Sequence, residues 1–151
     1  MEVRRATIDD AAQIAEFNEL LAEETEQRTL NEKTLLQGVK AILNDPAKGI
    51  YFLAEESETI VGQLMITYEW SDWRNGNFWW IQSVYVKQEF RSRGVFRALF
   101  EHVHALARQQ KDICGIRLYV EESNERAKRT YEKLGLKKTG YELFEIDFTT
   151  R

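Results

Sequence analysis

The sequence predicts an α/β fold, with one mixed central β-sheet flanked by helices in a single domain spanning residues 1–151. Three observations carry this. Apolar residues recur at helical spacing before residue 44, the period drops to two from residue 50, and helical and strand patterns alternate after residue 88. A strand, helix and strand over residues 78–121 imply a parallel crossover, whereas residues 50–70 read as a hairpin, so the sheet holds both pairings.

The elements follow in order. Residues 2–6 read as a short strand, and Asp9 opens a helix carrying Ile14, Phe17, Leu20 and Leu21. Asn31 is a good N-cap for a second helix with Leu35, Leu36, Val39, Ile42 and Leu43, ending near NDPAKG, residues 44–49. IYFLAEES and TIVGQLMITYEW form antiparallel strands around a polar turn, and FWWIQSVYVK, residues 78–87, is the third strand of this group. A helix with Phe96, Leu99, Phe100, Val103, Leu106 and Ala107 on one face leads to a strand over 113–121. A short helix over about 124–134 and a final alternating strand, YELFEIDF at 141–148, complete the prediction.

The chain suits one domain: at 151 residues it buries roughly 70% of its unfolded surface, and 43% hydrophobic with 30% charged residues is a globular balance. Lacking an apolar run long enough to cross a bilayer, and with MEVRRATIDD lacking the apolar core of a signal peptide, it is expected in the cytoplasm, away from membranes. A net charge of −4 argues against a broad nucleic-acid surface. Cys114, the single cysteine, excludes an intramolecular disulfide and a cysteine-rich zinc site; it is expected as a small core residue of its strand.

Residues 88–103, QEFRSRGVFRALFEHV, set Arg91, Arg93 and Arg97 around Gly94 where a helix begins. A helix N-terminus carries partial positive charge and disfavours cations, so their clustering there points to an anion, with free amides and a glycine turn that lets a phosphate approach. The competing reading is a solvated basic turn paired with Glu89 or Glu101. No Walker loop and no GxGxxG is present, so the usual nucleotide signatures do not apply.

The loop RSRGVF, residues 91–96, resembles the Q/R-x-x-G-x-G/A signature of the GNAT superfamily of acetyltransferases, and VYV before it and ESNERAKRTYEKLGLKKTG, residues 122–140, after it fit the same order. The resemblance covers essentially the whole chain and is nearest to diamine (spermidine/spermine) acetyltransferases. It implies a GNAT-like sheet, acetyl-coenzyme A as acyl donor with no metal, and acetyl transfer to a primary amine by direct attack in a ternary complex. Cofactor contacts are implied at Arg91, Ser92, Arg93, Gly94, Val95, Phe96 and Arg97, and at the backbone of Val84, Tyr85 and Val86. Phe96 departs from the pattern, standing where glycine or alanine is usual.

Acyl transfer from a thioester needs a neutral amine, a stabilised oxyanion and a protonated leaving thiolate. Tyr131 lies two turns after Asn124, so both project from nearly one face of the short helix. The resemblance makes Tyr131 the acid for the departing thiol and Asn124 a neighbour of the pantetheine arm; the alternatives are a core stripe for Tyr131 and a helix cap for Asn124. Gln82 falls where the diamine pattern has an acid, and glutamine accepts no proton, so a water path anchored by Glu121 or Glu122 is the expected substitute.

Trp70, Trp73, Trp79 and Trp80 fall within eleven residues, as an acceptor wall or a buried sheet surface. EFNELLAEETEQ, residues 16–27, carries five glutamates, including Glu24. Glu24, Trp70, Trp80 and Gln82 are therefore the candidates for binding a small cationic acceptor, polyamine or amino-acid-like. A homodimer is expected from the resemblance and the aromatic hairpin. A non-catalytic domain that binds acetyl-coenzyme A, or a peptide acetylase, is the competing assignment; His102 and His104, two apart on a helix, suggest no other chemistry.

Overall fold

The computed structural model describes residues 1–149. They fall into two compact units, Met1–Tyr119 and the segment from Val120 onward.

The first unit contains β1 (Glu2–Arg5), α1 (Ala11–Glu26), α2 (Glu32–Leu43), β2 (Ile50–Glu56), β3 (Thr59–Ser71), β4 (Gly76–Val86), α3 (Val95–Gln109) and β5 (Ile113–Leu118). The sheet order is β1-β2-β3-β4-β5, antiparallel through β4 and parallel between β4 and β5. This is the mixed sheet the sequence predicts. Ser57 and Glu58, both at positive φ, make the tight β2–β3 turn whose handedness suits a hairpin.

Alternation along β2 sends neighbouring side chains to opposite faces of the sheet. Tyr51 and Leu53 pack with Ile14, Val39 and Ile42 beneath α1 and α2, while the Phe52 ring meets His102 of α3 with centroids 5.5 Å apart. Phe17, Phe52, Leu53, Leu64, Ile66, Leu99 and Val103 are fully buried, each stabilising the fold by about 1.5–3 kcal/mol. Asn31 caps α2 as expected, its side chain accepting the Thr34 N–H at 2.9 Å. At the other edge, Arg4 on β1 clamps Asp10 and Glu55, at 2.9 and 2.7 Å.

The second unit holds α4 (Glu125–Lys133), capped by Asn124, which accepts the Ala127 N–H at 3.1 Å. Leu134-Gly135-Leu136 ends it in a Schellman closure: Leu136 N–H reaches Tyr131 O at 3.0 Å and Gly135 N–H reaches Glu132 O at 3.1 Å.

Two expectations are corrected. Residues 141–148 form no strand, and Tyr141, Leu143, Phe144, Ile146 and Phe148 are exposed; alternation makes a strand only where backbone groups find a ladder. Cys114 is exposed on β5 instead of lying in the core.

Candidate active site

The site is built where β4 loses a neighbour. Its pairing with β5 ends at Ile81 opposite Leu118, yet β4 continues through Gln82, Ser83, Val84, Tyr85 and Val86. On the other side Tyr85 and Val86 stay in register with Gln63 and Gly62 of β3. Antiparallel strands direct alternate backbone groups to either side, so this stretch offers backbone donors and acceptors on the side that β5 has left. Ser83 sits at φ +51° and the β3–β4 register shifts between Gln63 and Met65, marking a bulge at the opening.

The arginine loop follows at once. Gly94 is the N-cap of α3 at φ +80°, and the first intrahelical bond runs from Ala98 N–H to Gly94 O at 3.0 Å, so the first-turn amides point out of the helix mouth. A Cβ added at Gly94 would meet nothing within 4 Å, which leaves the space before those amides open. Ser92, also at positive φ, bends the loop toward the same mouth. These residues fit the pyrophosphate of acetyl-coenzyme A.

The three arginines differ in their partners. Arg91 Nη2 pairs with Glu24 of α1 at 2.8 Å, its Nε donates to Val86 O at 2.9 Å, and its guanidinium lies over the Tyr85 ring at 5.4 Å. Arg93 stacks over Phe90 at 5.4 Å. Arg97 pairs with Glu101 one turn along α3 at 2.9 Å, as the solvated-turn reading anticipates. Phe96 rests half-buried with its ring 6.2 Å from Phe100.

Glu24 therefore faces the arginine loop. Its carboxyl is held below its ordinary value by the Tyr85 hydroxyl and then by Arg91. Burial, reinforced by Glu24, pushes the Tyr85 phenol up to about 12. Tyr85 also packs on Phe17 of α1, ring centroids 5.2 Å apart.

A cavity of about 480 Å³ opens between α1, α2 and the sheet, with Asn18, Tyr51, Thr67 and Ser83 among its lining residues. Asn18 Nδ2 donates to the Tyr51 hydroxyl at 3.1 Å, and Gln63 Nε2 donates to Asn18 Oδ1 at 3.3 Å and to Ser83 O at 3.0 Å. Burial raises the Tyr51 phenol, keeping it neutral.

Among the acceptor candidates, Gln82 comes nearest this cavity: its Nε2 donates to Thr67 Oγ1 at 2.5 Å, and Thr67 is on the lining. Glu24, Trp70 and Trp80 are not on the lining. Trp70 is 59% exposed, and Trp80 stacks on Tyr119 with centroids 4.5 Å apart. Trp79 is buried, as the sheet-surface reading has it. Asn18, Tyr51, Gln63 and Ser83 were missed; the visible signal was a polar residue interrupting an apolar strand, Gln63 in TIVGQLMI and Ser83 in WIQSVYV.

Within the second unit, Asn124 caps α4 and Tyr131 lies half-buried in it, burial raising its phenol above the ordinary value. Glu121 accepts the Ser123 N–H at 3.0 Å.

Comparison with known proteins agrees with this geometry. The sequence model described as Acetyltransferase (GNAT) family matches residues 12–136. The crystal structure of a possible acetyltransferase from Clostridium difficile 630 is 46% identical, with a TM-score of 0.91 over 99% of this chain and 98% of that one. A predicted acetyltransferase from Clostridium acetobutylicum, crystallised with acetyl-coenzyme A, shares the fold at 19% identity, TM-score 0.76, over 97% of this chain and 95% of its own. Among curated proteins none matches. A family match across most of the chain, together with a parted strand leading into a glycine-capped helix mouth, means that this chain belongs to the acetyltransferase (GNAT) family and is an acetyl-coenzyme A-dependent acetyltransferase.

Proposed function

We propose that the chain transfers the acetyl group of acetyl-coenzyme A to the primary amine of a small acceptor, by direct attack while both substrates are bound. The observation that carries this reading is the parting of β4 from β5 at Ile81, which leaves the Val84–Val86 stretch without β5 as a ladder partner just before the Gly94 helix mouth. The thioester supplies an activated acyl group. Val84, Tyr85 and Val86 orient the donor arm through backbone hydrogen bonds, and the loop Arg91–Arg97, with the amides behind Gly94, takes the pyrophosphate. Asn124 and Tyr131 serve the pantetheine arm and the leaving thiol; the raised phenol of Tyr131 keeps its proton at neutral pH, as a general acid must. Gln82 accepts no proton, and its amide fixes the Thr67 hydroxyl at the acceptor cavity. A water takes the proton from the incoming amine.

Calorimetric titration with acetyl-coenzyme A, desulfo-coenzyme A and ATP tests the donor half. Micromolar binding of both coenzyme A compounds and little of ATP is expected; equal binding of ATP would reduce the loop to a general anion site. Thiol release that depends on an added amine tests the transfer half.

We also infer a homodimer, supported by the exposed apolar side chains Tyr141, Leu143, Phe144, Ile146 and Phe148, which a partner would take out of water. Light scattering should give about twice the 17.8 kDa chain mass. Ending the chain after Gly140 should return the monomer, and an unchanged mass would reject this interface.

A further inference from the structure

The cavity under α1 and α2 is lined on its helix side by Leu21, Leu35, Val39 and Ile42, and by Met65 from the sheet. Its volume of about 480 Å³ lies within the roughly 300–1,000 Å³ of pockets that hold small molecules. Also on its lining is Ser83, the bulged residue that immediately precedes the parted Val84–Val86 stretch. An acceptor lying here has its reactive end at the bulge and its body among hydrocarbon side chains.

The polar groups of the lining are engaged with one another. Asn18 is held by Tyr51 and Gln63, Gln63 also by the Ser83 carbonyl, and Thr67 by Gln82. The one acidic residue on the lining is Glu26, exposed in the last turn of α1 and so at the solvent side. A second ammonium carried into this space would lose its water without gaining a buried counter-charge, a cost that an apolar body avoids.

We propose that the acceptor is a primary monoamine with an apolar chain or ring, its body held by Leu21, Leu35, Val39, Ile42 and Met65. This deepens the transferase reading and rests on it. Polyamines and lysine, each with a second charge to bury, are poor substrates. The step itself is ordinary: the nitrogen of the neutral amine bonds to the acetyl carbon, the carbon–sulfur bond breaks, water takes the proton the nitrogen loses, and the Tyr131 phenol gives one to the departing thiolate.

Gly38 provides the test. It is on the cavity lining in the middle of α2, and a Cβ added there meets nothing within 4 Å, so Gly38→Leu adds apolar bulk at the cavity. Phenethylamine and hexylamine should show kcat/KM at least about tenfold above spermidine, putrescine and lysine, and Gly38→Leu should raise their KM about tenfold or more. The melting temperature of the variant should not fall, and its acetyl-coenzyme A affinity, read by calorimetry, should stay unchanged. Spermidine or lysine turning over as well as phenethylamine, or Gly38→Leu leaving the amine KM unaltered, overturns the inference while donor binding persists. Loss of acetyl-coenzyme A binding in the wild-type chain would overturn the transferase reading and this inference with it.

Discussion

Arg91 Nη2 lies 2.8 Å from Glu24 Oε1, joining the pyrophosphate loop to the last turns of α1. Both side chains are about 40% exposed, at 41% and 38%, so solvent screens the pair and its share of stability is on the order of 1 kcal/mol or less. Its larger consequence is for the proposed cofactor binding, because an arginine of the loop before α3 is already held by a carboxylate. Arg91→Ala is expected to weaken acetyl-coenzyme A binding by about tenfold or more, the loss of a charge-assisted contact to phosphate. Glu24→Gln releases the guanidinium and should leave the affinity equal or tighter. Titration calorimetry on both variants decides it: a Glu24→Gln loss as large as that of Arg91→Ala would mean that the carboxylate positions the arginine for phosphate. Because Glu24 titrates below its ordinary value, the pair is complete at neutral pH and is lost as acid protonates the carboxyl.

The Tyr85 phenol gives the alkaline counterpart. The native state keeps its proton to about pH 12, while the unfolded chain releases it near 10. Over that window the native state binds more protons, so stability falls as pH rises and levels off beyond it. Tyr51, Tyr68 and Tyr131, also raised by burial, act in the same direction. Melting curves from pH 9 to 12 should therefore fall less steeply for Tyr85→Phe than for the wild type, and identical slopes would contradict the assignment.

The sheet was legible because its causes are local. Period-two runs, the capping Asn31 and the glycine before α3 each mark an element regardless of the rest of the chain. The glycine-capped mouth of α3 was legible for the same reason, its arginines and Gly94 being contiguous. The cavity under α1 and α2 was not, since Asn18, Tyr51 and Ser83 come from three elements and meet only after the sheet closes. Glu24 illustrates the limit: its helix and acidic surroundings suggested an amine contact, and its nearest cation is Arg91, 67 residues away. The final strand failed because hydrogen-bonding partners, which alternation at 141–148 does not encode, decide whether a strand forms.

Two glycines separate steric demand from conformational demand. A Cβ at Gly49 would stand 2.2 Å from the Ile66 carbonyl oxygen and 2.8 Å from Ile42 Cδ1, and the carbonyl belongs to the sheet and cannot yield. Gly49→Ala should cost about 1–3 kcal/mol, a fall of several degrees in melting temperature. Gly38→Ala, in open space within α2, should raise stability by up to about 1 kcal/mol through helix propensity. Differential scanning calorimetry reads both, and a Gly49→Ala protein as stable as the wild type would show that the β2 entry can shift.

The proposed mechanism turns on Tyr131. Its phenol is raised by burial, so it remains a proton donor throughout the neutral range. As the acid for the leaving thiol, it should contribute roughly 10²–10⁴-fold to turnover. Tyr131→Phe keeps the ring and removes only the hydroxyl, so acetyl-coenzyme A binding should persist while kcat falls by about a hundredfold or more. The dependence on the donor provides a second reading. A thioester whose thiol has a lower pKa needs less help from an acid, so the variant should lose less with an activated aryl thioester than with acetyl-coenzyme A. Equal turnover of Tyr131→Phe and wild type across pH 6–10 would remove the phenol from the mechanism and leave water as the donor of that proton.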